Sequence, residues 1–230
     1  MIIVFIGLPG SGKSTQMRLL SKVLESKGQK AKTLCLKRGF IASLIERILF
    51  LLICGGNLLY PYPLELLLRG AKDKLKRIIH LWYIINTFEL YARLLSLLIM
   101  SRVCKLVMLI EEYIPAIIID YVYVALRLGM PINKISKYIN ILIHSYLKVH
   151  PSRVIILAAS MQELVRRWHK RGRAEYSYTY ILVQQIIPSL VKTLTRHFDK
   201  RVLILDTTNK TILDTLKALI QSMSCLRTKY

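Results

Sequence analysis

The chain has 230 residues, 53% of them apolar, which suits one domain with a substantial core. Lysine and arginine total 35 against 13 acidic residues, so 35 − 13 = +22, and such a surface attracts anions: nucleotides, nucleic acid or an acidic membrane. Cys35, Cys54, Cys104 and Cys225 lack any C-x-x-C spacing, which excludes a metal or redox motif; Cys35 and Cys104 stand in or beside apolar runs and read as buried reduced thiols.

The first element is MIIVFI at residues 1–6, a short unbroken apolar run of the kind a buried parallel strand requires. The strand start leaves no room for a cleaved secretory signal, so a cytoplasmic location is expected. GLPGSGKST follows at residues 7–15, and from Gln16 to Lys27 the apolar residues take helical spacing. Gly7, Gly12, Lys13 and Ser14 complete G-x-x-x-x-G-K-[ST] between a strand and a helix, which is the setting of a phosphate-binding P-loop. Gly10 and Gly12 let the backbone turn its N–H groups inward, and the following helix adds the positive end of its dipole. Pro9, Ser11 and Thr15 complete the cradle. Lys13 can neutralise the β- and γ-phosphates of ATP, and the Ser14 hydroxyl can ligate Mg²⁺.

Gly28 ends the first helical turn, and AKTLCL at residues 31–36 reads as a second strand. Lys37, Arg38 and Gly39 stand at its carboxyl end, where ligands gather in open α/β sheets; Arg38 could meet an acceptor phosphate, or the three form a solvated loop. Between Phe40 and Leu68 the apolar runs are cut by Gly55, Gly56, Pro61 and Pro63. They fall short of the roughly 20 continuous residues a membrane span needs, and read as buried helices or a subunit interface. Residues 72–77, KDKLKR, read as a solvated basic helix face. HLWYIINTFELYARLLSLLIM at residues 80–100 is apolar almost all round, with Glu89 and Arg93 at i, i+4; it should be buried on more than one side, as a dimer interface would allow, with His80 packed.

LVMLI at residues 106–110 is a further strand and ends in Glu111, Glu112 and Tyr113. A carboxylate at the tip of such a strand is where P-loop proteins organise Mg²⁺, and Glu111 is the candidate; two exposed loop glutamates are the alternative. Pro115 suits the first turn of a helix to Leu128, and Gly129 and Pro131 break it before a helix over 133–148. RVIILA at residues 153–158 is the next strand. Ser160 and Glu163 form a capping box for a helix carrying Arg166, Arg167, Lys170, Arg171 and Arg173, with Trp168 among them. Five cations in eight residues repel one another unless an anion is near, which points to a phosphate-clamping lid, with a solvated basic face as the alternative. Residues 176–198 carry a helical pattern with a kink at Pro188, RVLIL at 201–205 is the last strand, and Asp206 to Asn209 caps the closing helix. Alternating strands and helices give a parallel sheet covered on both faces. No repeat, linker or low-complexity segment interrupts the single domain over 1–230, with a helical acceptor-side region at about 40–104 and the lid at about 160–176.

GLPGSGKSTQ at 7–16, the strand ending at Glu111 with Tyr113 beyond it, and RRWHKRGRAE at 166–175 together resemble the thymidylate kinase family of P-loop nucleoside-monophosphate kinases. The resemblance runs in order along the chain, resting on helix pattern alone between Phe40 and Met100. It implies a five-stranded parallel sheet in the order 2-3-1-4-5 within a three-layer P-loop sandwich. It also implies transfer of the γ-phosphoryl group of ATP to a nucleoside monophosphate with Mg²⁺, in a homodimer. Lys13 and Ser14 would hold phosphates and metal, and Arg171 and Arg173 would close over the transfer. The lid would matter more because Gly10 occupies the place of the P-loop arginine found in some members.

Three departures bear on the acceptor. Pro9 replaces the acidic residue of thymidylate kinases, so the loop is closer to that of adenylate kinases. The family's Asp-Arg-Tyr becomes Glu111, Glu112 and Tyr113, which sets a carboxylate where an arginine would grip the acceptor phosphate. The proline-glycine signature after the second strand is missing. A P-loop kinase for a nucleoside or another hydroxyl, with Glu111 or Glu112 as base, is therefore the second reading. The third is an ATP-dependent protein that docks on nucleic acid or acidic lipid, though the basic residues are dispersed rather than interleaved with stacking aromatics.

Overall fold

The computed structural model describes residues 1–36, 44, 48, 72–149, 151–170, 185–194 and 201–224. The expectations for Lys37, Arg38 and Gly39, for most of 40–68, for Arg171 and Arg173 and for 176–184 lie outside the described residues. In chain order the elements are β1 (Ile2–Ile6), α1 (Lys13–Ser26), β2 (Ala31–Cys35), α2 (Lys72–Val103), β3 (Val107–Glu111), α3 (Ile114–Leu128), a 3-10 turn (Ile132–Lys134), α4 (Ser136–Lys148), β4 (Arg153–Ala158), α5 (Met161–Lys170), α6 (Ile187–Leu194), β5 (Val202–Asp206) and α7 (Ile212–Ser224). The strands form one parallel sheet in the order β2-β3-β1-β4-β5, as the family resemblance implies.

Parallel strands need crossovers, and these cover both faces, so β1 has no polar side chain and is buried along its whole length. Alternation divides its residues. Ile2, Val4 and Ile6 join Met108, Ile110, Val154 and Ile156 against α2, α3, α4 and α6. Ile3 and Phe5 join Leu109, Ile155 and Leu157 against α1 and α7. The connection after β1 thus leaves for one face and that after β3 for the other, although the two strands are neighbours. Their carboxyl ends flank the crevice where ligands bind in open α/β sheets.

The long apolar helix differs from expectation. Basic residues 72–77 are its opening turns, and α2 buries a single stripe, including Leu75, Ile79, Trp82, Tyr83, Leu90, Leu94 and Leu97. The opposite stripe, Leu81, Ile84, Phe88, Tyr91, Leu95 and Ile99, faces outward, with Phe88 74% exposed. By length and composition α2 could cross a membrane, but one stripe of it belongs to the core of this domain. Trp82, Tyr83, Tyr121 and Tyr138 pack ring against ring on the inner side, which fixes α2 on α3 and α4.

Several local expectations change for identifiable reasons. His80 is exposed, because its position falls between the two apolar stripes. Cys35 is half-buried and Cys104 exposed, since they stand at the ends of β2 and α2 rather than inside them. The helix expected from residue 133 begins with a 3-10 turn and continues as α4 from Ser136. Pro188 lies in the first turn of α6, where a missing N–H costs nothing, just after a turn at Ile186, and the helical pattern expected over 176–184 lies outside the described residues. Asp206 closes a tight turn by accepting from the Thr208 N–H at 2.9 Å, and α7 is capped instead by Thr211, whose hydroxyl accepts from the Asp214 N–H at 3.1 Å and donates to its carboxylate at 2.6 Å.

Candidate active site

The P-loop begins where β1 ends. Gly7, Gly10 and Gly12 have φ of 154°, 88° and 96°, a region L side chains rarely adopt. Gly7 also passes so close to β4 that a Cβ there would lie 2.3 Å from the Leu157 carbonyl oxygen. A turn from Leu8 to Ser11 closes with a 3.1 Å backbone hydrogen bond, and Gly12 delivers the chain into α1.

Lys13 is buried and reaches back across the loop. Its ammonium donates to the carbonyls of Gly7 (2.8 Å) and Leu8 (3.2 Å) and lies 3.9 Å from Glu111 Oε1. The Ser14 hydroxyl meets the same carboxylate, 2.9 Å from Oε1 and 3.0 Å from Oε2. Residues 97 apart in sequence meet because Glu111 pairs in register with Phe5, two residues before the loop. One lysine, one hydroxyl and one carboxylate therefore converge at the crevice.

This donor set suits Mg²⁺. That ion binds through one or two carboxylates with substrate phosphates and water, rather than through an all-protein cage. No cluster of three or more histidines, cysteines or carboxylates occurs among the described residues, so Ser14 and Glu111 are the side chains that could hold it here.

The neighbouring positions behave differently. Glu112 adopts a left-handed backbone conformation (φ 55°) unusual for a non-glycine residue, while its N–H donates to Phe5 O at 3.3 Å. Tyr113, an acceptor-side candidate in sequence, is turned into the core: its hydroxyl donates to Val149 O at 2.8 Å, and burial, reinforced by Tyr146, pushes its pKa well above the tyrosine range. Such a phenol is committed to packing and cannot reach a ligand in this conformation. Arg93 lies one turn beyond Glu89 on α2. Its guanidinium donates to Leu36 O (2.6 Å) and Cys35 O (2.9 Å) and so ties α2 to the carboxyl end of β2.

Helix α5 stands against the outer side of the P-loop. The Trp168 indole N–H donates to Pro9 O at 2.8 Å, with the ring buried against Leu164 and Leu8. Arg167 donates to Gly10 O (3.1 Å), Thr207 O (2.7 Å) and Thr207 Oγ1 (3.2 Å). Its Nε also meets Glu163 at 2.7 Å, and Arg166 grips that carboxylate through two further 2.7 Å bonds. Hydrogen bonds from Arg166 and then Arg167 draw the Glu163 carboxyl down to about 2. Arg166 and Arg167 thus share one carboxylate within the helix, which offsets one of their two charges. The capping box is half formed: Ser160 Oγ accepts from the Glu163 N–H at 3.3 Å, but the glutamate turns to the arginines, and the Ser160 N–H finds Thr208 Oγ1 at 2.9 Å. Sequence reasoning passed over Thr207, the tie from Arg93 to β2 and the distinct roles of Arg167 and Trp168. The i, i+4 spacing of Glu163 and Arg167 was a usable signal for one of them.

No protein-family model matches the sequence, and no curated protein is detectably similar to it. Solved structures do match. A thymidylate kinase from Candida albicans, 18% identical, superposes with a TM-score of 0.53 over 98% of this chain and 92% of its own. A deoxyadenosine kinase from M. mycoides, 17% identical, superposes with a TM-score of 0.58 over 98% of this chain and all of its own, both with bound dCTP and with the products dCMP and dCDP. The fold is that of a P-loop nucleotide kinase. In this kinase fold, β1 and α1 carry the loop, β3 brings Glu111, and α5 opens the segment in which the lid arginines were expected.

Proposed function

We propose that the protein is an ATP-dependent phosphotransferase that moves the γ-phosphoryl group to a nucleoside monophosphate. The observation that carries this reading is the meeting of Lys13, Ser14 and Glu111 beneath a glycine-rich loop at the crevice. The transfer forms a bond from an acceptor oxygen to the γ-phosphorus and breaks the bond from that phosphorus to the β,γ-bridging oxygen, with ADP leaving. Lys13 would exchange its carbonyl partners for the β- and γ-phosphate oxygens and offset their charge. The N–H groups of the P-loop would orient the polyphosphate, and Arg171 and Arg173 would approach from the lid and stabilise charge in the transition state. Mg²⁺, held by Ser14 and Glu111, would supply further charge neutralisation on the phosphates. Arg38 and Glu112 would border the acceptor.

A neutral nucleoside acceptor is the second reading. It is favoured by Glu112, a carboxylate where the family likeness calls for an arginine, and by the match to a deoxyadenosine kinase. A panel of nucleosides and nucleoside monophosphates incubated with MgATP separates the two. Product from a monophosphate supports the first reading, product from nucleosides alone the second, and no phosphorylated product from either refutes both.

The exposed stripe on α2 supports a homodimer formed through that helix. An apolar row this long is characteristic of an interaction surface. Analytical ultracentrifugation showing a monomer at micromolar concentration would exclude it.

A further inference from the structure

The P-loop is gripped from behind by α5, and one of those contacts faces the phosphate side through a peptide plane. The Trp168 indole donates to Pro9 O at 2.8 Å. That carbonyl shares its peptide unit with the Gly10 N–H, and no peptide bond among the described residues is cis. In a trans unit the C=O and N–H point in opposite directions. Anchoring the Pro9 carbonyl to α5 therefore aims the Gly10 N–H away from α5. The next unit is also fixed, because Arg167 holds Gly10 O at 3.1 Å while the Ser11 N–H closes the turn to Leu8 O at 3.1 Å. Trp168 further explains why residue 10 is glycine. A Cβ there would lie 2.8 Å from its Nε1 and 3.2 Å from its Cδ1, so the ring fills the space a side chain would need. The indole is buried and rigidly packed, as a positioning group must be.

We propose that Trp168 is a positioning residue for polyphosphate binding: its indole N–H sets the orientation of the Pro9–Gly10 peptide and so presents the Gly10 N–H to a phosphate oxygen. This rests on the reading of the loop as a nucleotide site. It also ties α5 to the P-loop through two carbonyls.

The test measures binding of inorganic tripolyphosphate and of MgATP by titration calorimetry to the wild-type protein, Lys13→Ala and Trp168→Phe. Phenylalanine keeps most of the ring's packing and deletes the donor. Trp168→Phe is expected to weaken both ligands about tenfold, the loss of one buried hydrogen bond to a binding group. A purely structural role would lower the melting temperature and leave both affinities unchanged below it, and that result overturns the proposal while the nucleotide reading stands. Wild-type protein that binds neither ligand refutes the nucleotide reading and the proposal with it. Should Trp168→Phe fail to fold, the amide resonance of Gly10 in the wild-type protein decides: it should shift on adding tripolyphosphate, and an unmoved resonance overturns the proposal.

Discussion

The two sides of the crevice are built differently. On the phosphate side, β1, β3, β4 and α5 converge on a loop whose Pro9 and Gly10 carbonyls are held by α5, whose Gly7 abuts β4 and whose lysine lies beside Glu111. On the β2 side, α2 reaches the strand end through Arg93, and the strand itself is largely half-buried or exposed. A polyphosphate presents the same charges and geometry whatever nucleoside carries it, so its receptor can be rigid. An acceptor site has to fit one molecule, and in the proposed function its border carries Glu112 where the family resemblance implies an arginine.

The contrast can be broken at several points. The largest expected effect is on folding. Gly7→Ala sets a Cβ 2.3 Å from the Leu157 carbonyl at a φ that disfavours side chains, and should cost about 3 kcal/mol or more in chemical unfolding. A loss below about 1 kcal/mol would mean that β1 and β4 are less tightly joined than described. Lys13→Ala should lower kcat by at least about 10²-fold, in the range of losing one transition-state donor, in a protein that still folds. Retained turnover would contradict its assignment to the phosphates.

Smaller effects sharpen the comparison. Arg93→Leu leaves the carbonyls of Cys35 and Leu36 without their guanidinium, at about 2 kcal/mol. It should raise KM for the acceptor more than KM for ATP; equal changes would show that the two sides are mechanically one. Glu112→Arg should shift preference toward monophosphates over nucleosides by about tenfold in kcat/KM, since it exchanges repulsion of a phosphate for attraction. No shift would remove residue 112 from the acceptor border.

The smallest effect is a pH dependence in α5. The Glu163 carboxyl lies near 2 when folded, below the ordinary value of about 4.3. A depressed carboxylate stabilises the fold above its ordinary value, and that contribution fades as pH falls from about 4.3 through 2. The difference in unfolding midpoint between wild type and Glu163→Gln should therefore be present at pH 7 and vanish near pH 2. A difference that persists unchanged would assign the effect to something other than the arginine contacts.

Much of the phosphate side was legible in the sequence because its constraints are local. Glycines at 7, 10 and 12, a lysine at 13 and an apolar strand before them leave few conformations. The tip of β3 was legible too, since an apolar strand followed by a carboxylate is a one-dimensional pattern. Tyr113 was not: nothing in the order of residues distinguishes a tyrosine that borders a ligand from one that inserts between α3 and α4 to reach Val149 O. Arg93 stood four residues beyond Glu89, but a helix considered alone cannot show that the β2 carbonyls also take its guanidinium. The surplus of cations in α5 was visible, but not that Glu163 had already claimed two of them.

The sequence by itself determined the alternation of buried strands and amphipathic helices, the loop that can cradle phosphates and a carboxylate at the tip of an apolar strand. Each of these depends on spacing within a dozen residues, where steric and hydrophobic rules act directly on the chain. Tertiary structure alone decided which stripe of α2 turns inward, that Arg93 closes β2, and that Trp168 and Arg167 hold the back of the P-loop. Those outcomes depend on which polar groups meet when distant elements pack, and a buried carbonyl takes whichever donor the fold delivers.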